Sequence, residues 1–106
     1  MKFILTNAFS VNMLPQSADL AFRQVNVEAV RNLNAHHGLE SAVGHADTAA
    51  VLSTLLSFDV ACNRANVTLD RDHSLVVAQY RGPRLPEGAT TLPEGATIEF
   101  WQVYHA

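Results

Sequence analysis

Ser41-Ala42-Val43-Gly44-His45-Ala46-Asp47-Thr48, continuing into Ala49-Ala50-Val51-Leu52-Ser53-Thr54-Leu55-Leu56, reads as a strand end that turns into a helix. Val51, Leu52, Leu55 and Leu56 recur at helical spacing, and Asp47 or Thr48 can accept a hydrogen bond from a free amide of the first turn. His45 therefore falls just before the positive end of a helix, where backbone amides cradle anions, phosphate above all. An imidazole held beside a phosphodiester is a candidate general acid. The plainer alternative is that Gly44 only makes the turn and His45 is a half-exposed loop residue.

The totals set bounds around this centre. A chain of 106 residues has room for one domain, 1–106, whose core buries roughly two-thirds of the surface exposed by the unfolded chain. With 48% hydrophobic and 16% charged residues it is a folded protein, without linker or low-complexity tract. A net charge of −3 argues against coating duplex nucleic acid, which needs a basic face over many phosphates. A small anion needs only a few arginines, and Arg64, Arg71, Arg81 and Arg84 gather in the second half. Cys62 is the one cysteine, so no intrachain disulfide forms and the expected compartment is the cytoplasm. Met1-Lys2-Phe3-Ile4-Leu5 is too short for a signal peptide, and no apolar run suits a membrane span.

Upstream, Lys2–Thr6 reads as a buried strand. The loop from Asn7 to Pro15 carries apolar anchors at Phe9, Val11, Met13 and Leu14 beside Asn7, Ser10 and Asn12, whose polar groups serve either a ligand or their own backbone turn. Leu20–Val25 reads as a second strand. Asn26 caps a helix from Val27 to about Ala35, with Gly38 beyond it. His36 and His37 are adjacent, point apart on a helix, and make a poor metal clamp.

Downstream, Phe58–Asn63 is a connector. Asn66–Leu69 and Leu75–Tyr80 read as a hairpin around Asp70-Arg71-Asp72-His73-Ser74, a turn lacking the glycine and terminal glutamate of an EF-hand. Arg81-Gly82-Pro83-Arg84-Leu85-Pro86-Glu87-Gly88 is a proline-stiffened loop in which Glu87 can fix the fork of Arg84 toward a phosphate. Leu85-Pro86-Glu87-Gly88-Ala89-Thr90 recurs as Leu92-Pro93-Glu94-Gly95-Ala96-Thr97. Ile98–Tyr104 is a closing strand with aromatic residues on both faces, so both faces are covered or one meets a second subunit.

Three motifs together, Leu5-Thr6-Asn7-Ala8-Phe9-Ser10-Val11-Asn12-Met13-Leu14, Ala42-Val43-Gly44-His45-Ala46-Asp47-Thr48-Ala49 and Arg84-Leu85-Pro86-Glu87-Gly88, resemble the viral ring nucleases. These type III anti-CRISPR enzymes have plasmid-borne and cellular relatives. The resemblance implies an α+β fold with a mixed β-sheet flanked by short helices. It also implies a homodimer that binds cyclic tetra-adenylate across its two-fold axis and cuts it to linear di-adenylate without metal or other cofactor. Carried over by position, His45 matches the general acid, and Arg84 and Glu87 match the active-site arginine and glutamate. The substrate contacts expected around them are Asn7, Ser10, Asn12, Asp47, Thr48, Arg64, Gln79 and Arg81.

Two other classes stay open on the residues alone. One is a protein that binds a cyclic oligonucleotide without cutting it, which would not require His45, Arg84 and Glu87 together. The other is a small regulatory protein touching DNA, disfavoured by the acidic charge and the absence of a helix-turn-helix pattern. A metal-dependent nuclease lacks the ligand spacing it needs.

Overall fold

The computed structural model describes all 106 residues, Met1–Ala106. Five strands, β1 (Lys2–Thr6), β2 (Leu20–Val25), β3 (Glu40–Ser41), β4 (His73–Arg81) and β5 (Thr97–His105), form one sheet in the order β2-β5-β4-β1-β3. β2 and β4 both run antiparallel to β5, while β1 runs parallel to both β4 and β3. The sheet is therefore mixed, and with helices α1 (Val27–His37) and α2 (Ala46–Leu56) the class is α+β.

Alternation along the strands divides the core between the two faces. On one face Leu5, Val76, Ala78 and Phe100 pack with Val30 of α1 and with Ala49, Leu52 and Leu56 of α2. On the other, Ile4, Leu75, Val77 and Val103 are covered by loop segments that hold no α-helix or strand: Phe9, Met13 and Leu14 from the first loop, and Val67 and Leu69 from the segment before β4. Aromatic residues on both faces of β5 follow from this double cover, since Phe100 faces the helices and Trp101 the loops.

Local chemistry explains the helix ends. The Asn26 side chain accepts from the Ala29 amide at 2.9 Å, and α1 then continues through His36 and His37, two residues past Ala35, to Gly38 at φ 76°. His37 lies against Phe3 with ring centroids 4.9 Å apart. α2 ends on Ser57 in the left-handed conformation, φ 61°. Its last carbonyls are met from α1: Arg31 donates to Leu55 O at 2.9 Å and to Leu56 O at 3.1 Å.

The expected hairpin is corrected. Asn66–Leu69 is not a strand, because β1 and β5 occupy the two edges of β4 and leave it no place. The segment instead drops Leu69 into the core and hangs on one backbone bond, Leu69 N to Met13 O at 2.7 Å. No helix is long and apolar enough to cross a membrane.

Candidate active site

Because β1, β3 and β4 are parallel, their carboxyl ends share one end of the sheet, the end at which parallel arrangements expose their connecting loops to ligands. Asn7 follows β1, Gly44-His45 follows β3, and the Arg84 loop follows β4. Residues far apart in the chain converge there through topology.

His45 is the N-cap residue of α2, with φ −120° and ψ 128°, and it is exposed. Neither Asp47 nor Thr48 caps the helix, and no side chain bonds its first-turn amides. The expected capping role is thus corrected: both residues lie inside the first turn, which turns their side chains away from their own amides. The amino end of α2 consequently presents free N–H groups next to an exposed imidazole.

Asp47 has a different partner. Its Oδ1 accepts a hydrogen bond from the Gly88 backbone amide at 3.0 Å, across 41 residues. That amide belongs to a turn in which Ala89 N donates to Pro86 O at 3.1 Å and Gly88 takes φ 79°, a value that glycine adopts without strain. The repeated segment builds the same turn, with Ala96 N to Pro93 O at 3.0 Å and Gly95 at φ 80°. Asp47, Arg84, Leu85, Pro86 and Glu87 line one open groove of about 460 Å³. Arg84 and Glu87 are both exposed and form no ion pair with each other, so in the free chain the glutamate does not fix the arginine's fork.

Arg64 joins the same end. Its Cβ, Cγ and Nε each lie 3.6 Å from the place where a side chain on Gly44 would begin, so the arginine runs over the bare glycine beside His45. Gly44 has no positive φ, and an unusual turn is not what the glycine supplies. Three further features were invisible in the sequence. Tyr80 donates its hydroxyl to Pro83 O, fixing the root of the Arg84 loop. Gly82, at φ 154°, passes Ala96 so closely that a Cβ there would meet the alanine Cβ at 2.7 Å. Gly88 shares the α2 carboxylate already described.

Other expected contacts have partners of their own. Gln79 and Arg81 belong to the loop-covered face of β4, where Arg81 Nε lies 3.4 Å from Glu99 and Gln79 donates to the carbonyl of Tyr80. Arg81 is thus held by a carboxylate that Arg84 lacks. Ser10 accepts from Asn12 N at 3.2 Å and caps the single 3-10 turn Val11–Met13, the local turn chemistry foreseen as an alternative for these residues. No hydrogen bond or ion pair ties Ser10, Asn12 or the half-buried Asn7 to His45 or Arg84 within one chain. Asp70, Asp72 and His73 bring their ligand atoms within 4.8 Å of one another, but the His73 Nδ1 is engaged by Thr68 O at 2.7 Å.

The model of the STIV B116-like family matches residues 3–101. The chain belongs to that family. A B116 structure, that of Sulfolobus turreted icosahedral virus, superposes with a TM-score of 0.83 at 28% sequence identity, covering 99% of this chain and 100% of that one. No curated protein matches by sequence. The B116-like family is thus named for a viral protein, and the superposition extends through the loops that carry His45, Arg64 and Arg84 in this B116-like chain.

Proposed function

We propose that the protein is a metal-independent ring nuclease that cuts cyclic tetra-adenylate into linear di-adenylate, and so antagonises type III CRISPR signalling. The observation that carries this reading is the Asp47–Gly88 hydrogen bond, which holds the Arg84–Glu87 loop against the helix end that displays His45. Asp47, in the first turn that follows His45, and Arg84, which has no carboxylate partner, line the same open groove.

RNA supplies its own nucleophile. The ribose 2′-oxygen forms the new bond to phosphorus while the bond from phosphorus to the 5′-oxygen breaks, leaving a 2′,3′-cyclic phosphate and a 5′-hydroxyl. The protein has to hold the linkage in line, balance charge and protonate the leaving oxygen. His45 gives that proton. Arg84, with the α2 amides, balances the charge on the phosphorane oxygens, and Arg64 grips the neighbouring phosphate. The proton of the 2′-hydroxyl passes to water or to Glu87, which is exposed and unpaired. One groove holds a single linkage, so a ring of four equivalent linkages fits two copies related by a two-fold axis, each meeting one of two opposite phosphates. Ser10 and Asn12, which make no hydrogen bond to His45 in their own chain, then serve the ring from the loop that follows β1.

The test is incubation of the protein with cyclic tetra-adenylate in EDTA, with product length read out. Linear di-adenylate supports the reading. Tight binding without product makes the protein a sponge, and neither binding nor product overturns the assignment altogether.

A further inference from the structure

Seven basic side chains are present, and three of them, Lys2, Arg31 and Arg81, are paired with carboxylates. Of the four arginines left without an ion pair, Arg64 and Arg84 belong to the site already described. The other two, Arg23 and Arg71, flank a separate groove of about 220 Å³ at the opposite end of the sheet.

This groove exists because α1 and α2 cover only the half of their sheet face that carries Leu5, Val76, Ala78 and Phe100. The other half presents Phe3, Ser74, Gln102 and Tyr104 from three neighbouring strands, with Arg23 beside Gln102 in register on β2. Its floor is polar and ordered, since Gln102 donates to Ser74 Oγ at 3.1 Å and Ser74 is 1% exposed. Aromatic rings form its walls: Tyr104, and Phe3 backed by His37. No carboxylate lines it, and the acidic neighbours of Arg71 in the chain, Asp70 and Asp72, each turn to within 4.0 Å of His73. In an acidic protein, this is a positively charged and aromatic hollow.

We propose that this groove is a second ligand site that takes a nucleoside monophosphate. Arg23 and Arg71 hold the phosphate with charge-assisted hydrogen bonds, and the base lies against Tyr104 and Phe3. Gln102 keeps its amide oxygen free to read an exocyclic amino group, because its NH₂ is spent on Ser74. The site is independent of the cleavage reading, being built from other residues at the other end of the sheet.

Titration of the full chain with AMP, ribose 5-phosphate and adenosine, followed by backbone amide shifts and calorimetry, tests the proposal. The expected result is that AMP binds more tightly than either fragment and shifts the amides of Phe3, Ser74, Gln102 and Tyr104. Arg23→Gln and Arg71→Gln, both at exposed positions, should each weaken AMP by about 10-fold or more with melting unchanged, while His45→Ala leaves AMP binding intact. The proposal is overturned if AMP does not bind at millimolar concentration, if it maps to the His45 end, or if ribose 5-phosphate binds as well as AMP. A change of oligomeric state in the arginine variants without loss of AMP binding also overturns it. Ring cleavage by the same preparation reports on the other site separately.

Discussion

The Asp47 carboxylate receives the Gly88 amide at 3.0 Å and thereby fastens the loop bearing Arg84 and Glu87 to the first turn of α2. Removing the acceptor in Asp47→Ala should free that loop, and a misplacement of about 1 Å can cost roughly 100-fold in rate. Single-turnover cleavage should fall by about 10- to 100-fold while hydrogen exchange at Gly88 accelerates. Asp47→Asn keeps an oxygen in place and should retain most of the activity. Equal losses in both variants would mean that the charge, and not the tether, is what matters.

His45→Ala removes the proton donor without touching the packing of α2, because the imidazole makes no capping bond. Cleavage should drop by about 10²- to 10⁴-fold, with ring affinity changed little. Parental cleavage by this variant rules out the general-acid role.

Arg31 closes the carbonyl end of α2 from α1 through the bonds to Leu55 and Leu56. Arg31→Ala leaves those carbonyls to water and should cost about 1–2 kcal/mol, the scale of charged hydrogen bonds at a partly exposed position. Chemical denaturation should show a lower midpoint at unchanged slope.

Ser57 holds a left-handed conformation that costs a residue bearing a Cβ about 1–2 kcal/mol. Ser57→Gly relieves that strain against the extra freedom of glycine in the unfolded chain, leaving a gain of about 0.5 kcal/mol. Thermal melting should move upward by a few degrees at most, and a fall in midpoint would show that the hydrogen bond the Ser57 hydroxyl accepts from Arg31 at 3.4 Å matters more than the strain.

Signals that act locally were readable from residue order. Lys2–Thr6 and Leu20–Val25 have the expected bounds because each is flanked by residues that stop a strand, and Asn26 is followed by the helix it caps. The repeated Leu-Pro-Glu-Gly-Ala-Thr builds two equal turns for the same reason. What depends on a distant partner was not readable. Val67 and Leu69 alternate as a strand would, yet the neighbouring edges of β4 are taken by segments more than 15 residues away in sequence. Asp47 advertises an acceptor, but its donor lies beyond the whole of β4. At the candidate site the bond that fastens the Arg84 loop to the first turn of α2 runs from Asp47 to Gly88, a pairing no local signal announces, whereas Arg81 is met by Glu99, a residue whose place opposite Gln79 only strand register determines.

The twin turns at Pro86 and Pro93 give the molecule a built-in control. They share sequence and backbone shape, but the residues leading into the second, Thr91 and Leu92, share a hollow with Val51 and Leu55 in the middle of α2, and no aspartate bonds the Gly95 amide. Any ligand that merely grips a Pro-Glu-Gly turn must occupy both equally, so a titration that perturbs Gly88 while leaving Gly95 silent reads out chemistry contributed by the neighbourhood, with the peptide motif itself subtracted.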